Sequence, residues 1–456
     1  MKTSFHIVAA AAALSVGLPA VARSGGLSSN SQTDVAAVDT TALYPEEAQR
    51  REIIKNSKVI IMNGDDGSRP GRDSVESLLA KFYFDQFRNS QDPETPYFTF
   101  MSKDANLAMG IGGVLNVSGW FDWNGTIPGA DFNTYLMTPK SPEAMRALSA
   151  SAAGSAIFFN IMGRHTPIGD YRAYIEGGFD GYQNHGFKLK KAWFQIGDFT
   201  AGLAKTTFSD PAAQPDVLDP SGGDGKIDKS NVLVRYLHTW KDRWTFAGSV
   251  EFPSSQPQEQ DGLTKKVKDY VPDFAALGQY QWNRGMSHVR IAGVIRSMAY
   301  RDIPAERNRH VLGWGVQLSS VVRASRNVSV FALGSVGKGI ASYTGGLSNG
   351  NLDLLGTPDK PGEMYAPTTV SVTAGAKAWI TPKLSSNLAL ATLRHFPKGH
   401  LHDDTYKYGQ YLALNLVYSF TPRIQLGVEY LAGKRVDFDG SHANVNRALA
   451  NFTFSF

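Results

Sequence analysis

Ala450-Asn451-Phe452-Thr453-Phe454-Ser455-Phe456 ends the sequence with aromatic and polar residues in strict alternation. Successive side chains of a strand point to opposite faces, so Phe452, Phe454 and Phe456 share one face while Asn451, Thr453 and Ser455 share the other. The same period recurs upstream in Leu412, Leu414, Leu416, Tyr418 and Phe420, and in Ile424, Leu426, Val428 and Tyr430 set against Gln425, Gly427 and Glu429. One such stripe fits a core strand of a soluble sandwich. Three in succession, each near the roughly 9–11 residues a tilted strand needs to cross a bilayer, point to an apolar face turned to lipid.

Outward from this end, a period of two extends back to about residue 107. Sixteen candidate strands fall at 106–123, 155–165, 171–180, 186–196, 199–208, 231–240, 243–252, 273–283, 287–301, 309–323, 327–341, 369–380, 384–396, 410–420, 424–437 and 442–456. Their connectors alternate in length. Those at 166–170, 197–198, 241–242, 284–286, 324–326, 381–383 and 421–423 are short, whereas 124–154, 209–230, 253–272, 342–368 and 397–409 are long. Short turns at one end and long loops at the other are the topology of a membrane barrel, and a sandwich or propeller has no cause to sort its loops so. The expected fold is all-β, a transmembrane antiparallel barrel over 105–456 whose sixteen strands enclose an aqueous channel.

The beginning of the sequence indicates a route to that destination. Lys2 precedes an apolar run from Phe5 to Leu18, and Ala20-Val21-Ala22 supplies the small residues that a signal peptidase reads, so 1–22 is expected to be a signal peptide cleaved after Ala22. A membrane anchor needs a longer apolar run than this. Residues 23–104 read as an N-terminal helical or irregular extension. Pro45 opens a helix-compatible run to Lys55, and Asp73-Ser74-Val75-Glu76 forms a capping-box arrangement before Val75, Leu78, Leu79, Phe82 and Phe87, which predicts a helix near 74–88. That helix could pack at the periplasmic mouth, plug the lumen or pair with copies of itself.

Composition excludes other classes. The 456 residues include Gly 45, Tyr 18, Phe 25 and Trp 8 but no Cys, which removes disulfide frameworks and thiolate chemistry. Mean hydropathy is −0.24, aromatic wealth combined with overall polarity. Removing Lys2 lowers the formal charge from +5 to +4, too small a balance for a nucleic-acid partner.

With the apolar positions outward, alternation places Arg172, Lys188, Lys190, Arg235, Arg290 and Arg296 inside the barrel. An Arg or Lys facing the lipid midplane would cost about 2–4 kcal/mol. Lys191 breaks the register, and its neighbours would turn it outward unless a bulge intervenes or it lies at a subunit contact. Fewer carboxylates share the inward faces: Glu176, Glu251 and Glu429. This excess of cations predicts pore-lining residues that favour anions, although pairs such as Glu176 with Arg172 could simply neutralise one another.

Rival functions find less support. A structural or adhesive barrel with a closed lumen would share every feature above. An outer-membrane hydrolase would need a nucleophile arrangement, and His238, His288, His310, His395, His400 and His402 lie in no such motif. His400-Leu401-His402-Asp403-Asp404 reads as a solvated external loop, and Asp216 to Asp228 falls short of an EF-hand pattern, so neither a metal nor another cofactor is expected.

Between Gly163 and Pro253 the sequence resembles the DcaP-like outer-membrane porins in several ordered pieces. Arg164-His165-Thr166-Pro167 is similar to the family's Arg-Thr-Pro turn, and Tyr174-Ile175-Glu176-Gly177-Gly178-Phe179 to its Tyr-Ile-Glu-Gly-Asp-Phe strand. Ala201-Gly202, Thr207-Phe208, Pro215-Asp216-Val217-Leu218-Asp219, Val234-Arg235-Tyr236 and Glu251-Phe252-Pro253 follow in order. Gly178 stands where the family usually has Asp, and Lys190-Lys191-Ala192-Trp193 replaces a common Arg-His-Ala-Tyr. Lys keeps the sign of Arg but not its planar fork. The resemblance implies a homotrimeric sixteen-stranded porin of the bacterial outer membrane, surrounded by lipid and passing small anionic solutes of the dicarboxylate kind. It also implies a periplasmic helical extension supporting the trimer.

Overall fold

The computed structural model describes residues 96–456 apart from 105, 139–143, 165, 166, 168, 180–185, 284, 285 and 400–404, together with Pro45, Ala48, Gln49, Glu52 and 58–62. The expected signal peptide, the helix near 74–88 and the His400 to Asp404 cluster lie outside the described residues.

Sixteen strands form a closed antiparallel barrel. They are β1 (Leu107–Trp123), β2 (Arg146–Ser151 continued by Ala156–Gly163), β3 (Tyr171–Gly178), β4 (Lys188–Ile196), β5 (Phe199–Lys205), β6 (Ser230–Trp240), β7 (Trp244–Glu251) and β8 (Asp273–Trp282). The second half comprises β9 (Ser287–Asp302), β10 (Arg307–Arg323), β11 (Val328–Lys338), β12 (Thr368–Thr381), β13 (Leu384–Phe396), β14 (Tyr406–Thr421), β15 (Ile424–Asp437) and β16 (His442–Ser455). Each strand pairs with its sequence neighbours, and β16 closes on β1 from Asn446↔Trp123 to Ser455↔Val114. Phe456 extends the seam, its amide and carbonyl both bonding to Gly113 at 2.9 Å. Its ring lies over Gly113, where a Cβ would come within 2.5 Å of it, so the close approach requires glycine.

The second strand corrects the expected 124–154 loop. Arg146–Ser151 pairs with Ser118–Trp123 of β1, and Ala156–Gly163 resumes pairing at Leu107–Val114. Arg146-Ala147-Leu148-Ser149-Ala150-Ser151 lacks the β-branched and aromatic residues that mark strands, which hid it. Only Leu148, 82% exposed, carries the outward apolar signal.

Every one of the sixteen strands contributes large apolar side chains to the outer surface, among them Phe121, Phe159, Ile175, Phe194, Val234, Phe246, Ile291, Leu318, Val372, Leu390, Leu416, Val428 and Phe452. A soluble monomer leaves at most a few hundred Å² of contiguous apolar surface bare. Rings gather beside the short turns, as in Trp244–Tyr280 at 4.8 Å, Phe199–Tyr236 at 4.9 Å and Tyr418–Phe420 at 5.0 Å, where aromatic side chains sit at a membrane interface. The turns are tight for local reasons. Lys241 and Asp242 both adopt positive φ, 49° and 54°, the conformation of a two-residue hairpin whose twist matches its strands. No helix among the described residues is long and apolar enough to cross a membrane.

Ahead of β1 the structure departs from a purely helical or irregular extension. Phe98–Met101 pairs antiparallel with Ala108–Ile111 of β1, and Lys58–Ile61 pairs parallel with Phe98–Met101. Pro45, Ala48, Gln49 and Glu52 are helical, matching the run read from Pro45.

Candidate functional site

The polar inner wall would enclose an open channel, but the long connector between β5 and β6 turns into it. This 206–229 loop spans much of the lumen and is tied down along its path. At its start Glu251 accepts hydrogen bonds from the Thr206 hydroxyl and Thr207 amide, both 2.9 Å. Farther along, Asp210 receives His288 Nε2 of β9 at 2.8 Å and the Ser319 hydroxyl of β10 at 2.5 Å, with Arg290 Nη1 at 3.3 Å. At the far wall the Leu218 and Asp219 amides donate to Glu429 of β15, each at 2.8 Å, and Tyr411 donates to Asp219 at 3.1 Å. On the return, Ser371 of β12 donates to the Gly225 carbonyl at 2.6 Å.

Three other long loops lock onto it. In the 339–367 loop, Tyr343 and Asp228 join through a 2.9 Å backbone bond, and the Gly345 and Gly346 amides donate to the Lys226 and Asp224 carbonyls. The 124–145 loop contributes the Phe132 amide to Asp219 at 2.9 Å and the Thr134 hydroxyl to Asp224 at 2.5 Å. The 253–272 loop contributes the Ser254 carbonyl, which accepts from Lys229 Nζ at 3.1 Å, and the Gln256 amide, which donates to Asp353 of the 339–367 loop at 2.9 Å.

Electrostatics follow from this burial. Burial opposes the charge on Asp210, yet Arg290 and His288 beside it hold its carboxyl well below the usual range. Asp224 has weaker support: burial pushes it up to about 7, with Asp219 adding repulsion against the Thr134 bonds. Burial, with Arg296 nearby, brings Lys229 down to about 8.

Two of the inward arginines, Arg290 and Arg296, prove to be loop anchors. Arg235, Arg290 and Arg296 are 1%, 2% and 1% exposed. Arg296 pairs with Asp273 at 3.1 Å and Asp353 at 3.2 Å, and donates to the Gly339 carbonyl at 2.6 Å. Arg290 donates to the Ser209 carbonyl at 2.9 Å, besides meeting Asp210. Arg235 reaches the Lys205 carbonyl at 3.4 Å, while its Nε and Nη2 are buried without partners. Sequence alternation missed two similar anchors that it could have found, since both occupy inward positions of recognised strands. Arg435 donates to the Tyr135 carbonyl at 2.5 Å, and Arg447 holds Asp122 at 2.7 Å and the Ala130 carbonyl at 2.7 Å. Asp210, Asp219, Asp224 and Asp353 were not legible as lumen groups, because loop residues carry no period to reveal their direction. They also add carboxylates that a count over the wall alone omits.

Arg172, Glu176, Lys188 and Lys190 lie together on β3 and β4, apart from those anchors. The register shifts beside Glu176, which pairs with Lys191, whereas Gly177 pairs with Leu189. This bulge at Lys190 turns Lys191 inward, with Nζ 3.0 Å from Glu176, so Glu176 pairs with Lys191 rather than neutralising Arg172. Lys190 lies over Gly178, where a Cβ would come within 2.2 Å of Lys190 Cε and displace that side chain. Lys188 is exposed and Arg172 is buried on the same wall. Beside them Tyr174 stacks between Phe158 and Trp193, with ring centroids 5.9 and 5.5 Å away.

His288, Asp210 and Ser319 do not form a nucleophile site. Imidazole and hydroxyl both address the same Asp210 oxygen, so the histidine is not placed to take the hydroxyl proton.

No family model matches the sequence, and no curated protein matches it significantly. Solved structures do. The outer membrane channel DcaP of Acinetobacter baumannii superposes with a TM-score of 0.67 at 21% identity, covering 77% of this chain and 98% of that one. An anion-selective porin from Comamonas acidovorans gives 0.53 at 10% identity over 77% and 100%, and the outer-membrane expressed OmpT of Vibrio cholerae gives 0.50 at 10% over 78% and 99%. The resemblance read between Gly163 and Pro253 is thus matched by the fold, and the chain shares its closed antiparallel barrel with the DcaP channel and with porins.

Proposed function

We propose that this chain is an outer-membrane diffusion channel of the DcaP-like kind for small hydrophilic solutes, with a preference for anions such as dicarboxylates. The observation that carries the reading is the 206–229 loop, held from both sides inside a barrel whose strands all turn large apolar side chains outward. A loop so placed narrows a pore and sets which charges meet the solute. Anion preference is supported by Arg172, Lys188, Lys190 and Lys191 on the β3–β4 wall, where Glu176 is the companion carboxylate. Arg290, Arg296 and Glu251 act in this reading by holding the loops that shape the pore, while Arg235 braces β5 through the Lys205 carbonyl.

The proposal extends to cellular context. The 1–22 segment serves export and is removed, the barrel inserts in the bacterial outer membrane, and three copies assemble. A hollow of about 650 Å³ on the outer wall at Gly119, Ala448 and Ala450, rimmed by Phe121, Leu148 and Tyr430, supports assembly, since small outward residues admit a neighbouring surface.

A second reading, a structural barrel with a closed lumen, draws on the knitting of four loops around Asp219, Asp224 and Asp353. Planar-bilayer recordings of the folded assembly separate the two. Stepwise conductance with an anion-selective reversal potential is expected. Folded assemblies that never conduct would overturn the channel, and cation selectivity would overturn the charge assignment.

A further inference from the structure

The outward face of the barrel changes chemistry at the long-loop end of β9 and β10. Up to Ile295 on β9 and Trp314 on β10, which sit opposite each other, that face is apolar. Leu312, 66% exposed and opposite Ser297, continues the belt by one more pair. Beyond it the outward pairs are Ala299 with His310 and then Arg301 with Asn308. There the short segment Thr264–Lys266 pairs with the other side of β9, and Lys265 comes directly opposite Arg301. Like charges facing each other across two strands repel. Lys265 is exposed, Arg301 donates to Asn308 Oδ1 at 3.5 Å, and neither has an ion pair among the described residues. The inward face of the same hairpin is the opposite case, with Arg309 held by Asp302 at 2.7 Å and Glu363 at 2.9 Å. Carboxylates near the outward pair are engaged elsewhere. Asp269 accepts from the Ser255 hydroxyl at 2.6 Å and the Ala299 amide at 2.7 Å, and Glu259 from the Lys266 amide at 2.6 Å. Asp261 and Glu306 belong to the turns farther out. Tyr270, 74% exposed, stands perpendicular to the His310 ring with centroids 4.9 Å apart.

We propose that this face binds a glycolipid of the outer leaflet whose sugars carry phosphate. A sugar phosphate meets Lys265 and Arg301, the sugar lies against Tyr270 and His310, and the acyl chains run down over Leu312, Ile295 and Trp314. Height selects this lipid over a phosphatidyl lipid. Arg301 stands four residues beyond Ser297 and its partner Leu312, roughly 13 Å along the strand. A strand tilt of about 40° leaves roughly 10 Å of that along the membrane normal. A phosphatidyl phosphate sits at the acyl boundary, whereas a phosphate carried on a sugar stands farther out. The opposed cations select phosphate over a neutral sugar, since an anion between them removes their repulsion. The apolar residues below select a lipid over a free phosphate, which would leave Leu312 and Ile295 unused. β9 and β10 lie half-way round the barrel from the β1–β16 seam, so the assembly hollow at Gly119 and Ala450 leaves this face to the membrane. The inference rests on the outer-membrane reading, because that membrane presents such a lipid at the long-loop end.

The test is anisotropy titration of fluorescent lipid A, a glycolipid phosphorylated on its sugars, against the purified folded assembly in neutral detergent with EDTA. Phosphatidylglycerol, galactosyl diglyceride and inorganic phosphate serve as competitors. Lipid A is expected to bind about tenfold or more tighter than either other lipid, and inorganic phosphate at millimolar concentration should not displace it. Lys265→Gln with Arg301→Gln should weaken lipid A about tenfold and leave phosphatidylglycerol within about twofold. Tyr270→Ser should weaken lipid A several-fold, whereas Lys265→Arg should retain binding and so separate lost charge from lost fold. Equal binding of phosphatidylglycerol, displacement by inorganic phosphate, or unchanged affinity in the double variant would each overturn the proposal. Fractionation of cells expressing the full chain reads membrane placement separately. A chain absent from the outer membrane strikes that reading, whereas an outer-membrane chain indifferent to lipid A strikes only the glycolipid site.

Discussion

The β9 wall and the β3–β4 wall carry inward cations at the same alternate positions, yet they use them differently. On β9, Arg290 and Arg296 are covered by loops and paired with Asp210, Asp273 and Asp353. On β3 and β4 a bulge sets Lys191 against Glu176, a carboxylate of the wall itself, and Lys188 is exposed. An inward direction therefore does not make a residue pore-lining. Whether a loop reaches it decides that.

The largest effect is expected where this contrast is broken at its strongest anchor. Arg296→Leu leaves Asp273 and Asp353 buried without their guanidinium, and removing one partner of a buried pair costs about 3–5 kcal/mol. Heat- or urea-induced loss of the folded barrel should move accordingly, and the 339–367 loop should become protease-sensitive. An unchanged midpoint would mean the network is not an anchor.

Asp210→Asn should cost less, on the order of 2–3 kcal/mol of loop docking, because the amide keeps a hydrogen bond to Ser319 while Arg290 loses its counter-charge. The expected readout is larger and noisier single-channel conductance. A smaller conductance would contradict a restraining role for the 206–229 loop.

Acidity should sharpen the comparison. Asp224 titrates near 7 when docked against Thr134, against an ordinary value of 3.8 when released, so the docked state takes up the proton more readily. Docking of the 124–145 loop on the 206–229 loop is then fully supported below about pH 4 and weakens as pH rises toward 7, by at most about tenfold per unit. Asp219, raised by burial, acts in the same direction, while Lys226, lowered by burial, opposes it. Lys229, near 8, and Asp210, held low, keep their charges across this window. Conductance should fall on acidification, and Asp224→Asn should flatten the response. A slope unchanged in that variant would assign the titration elsewhere.

The smallest change is expected on the uncovered wall. Lys188→Gln should leave stability within about 0.5 kcal/mol, as for exposed substitutions, and shift the reversal potential toward cations by a few millivolts. The same shift from Arg290→Gln without loop release would erase the distinction between the two walls.

Much of the barrel was legible because its signal is local. Phe452, Phe454 and Phe456 alternate with polar residues because the barrel's apolar exterior lies on one side and its polar interior on the other, and the short connectors at 241–242 and 421–423 must be tight for their strands to pair. Arg146–Ser151 escaped because alanine and serine carry little outward signal. The site was legible only in direction. Arg235, Arg290 and Arg296 do point inward, but Asp210, which meets Arg290, and Asp353, which meets Arg296, lie far away in sequence in loops without a period.

By itself, the sequence determined that sixteen strands alternate apolar and polar faces, that long and short connectors sort to opposite ends, and which wall positions turn inward. These follow from side-chain period and turn length, which neighbours along the chain dictate. Only the tertiary structure decided that Asp210 meets Arg290, that Thr134 meets Asp224, and that a bulge turns Lys191 inward. Those outcomes depend on closure of the barrel, which brings distant loops into one low-dielectric interior where buried charges must find partners.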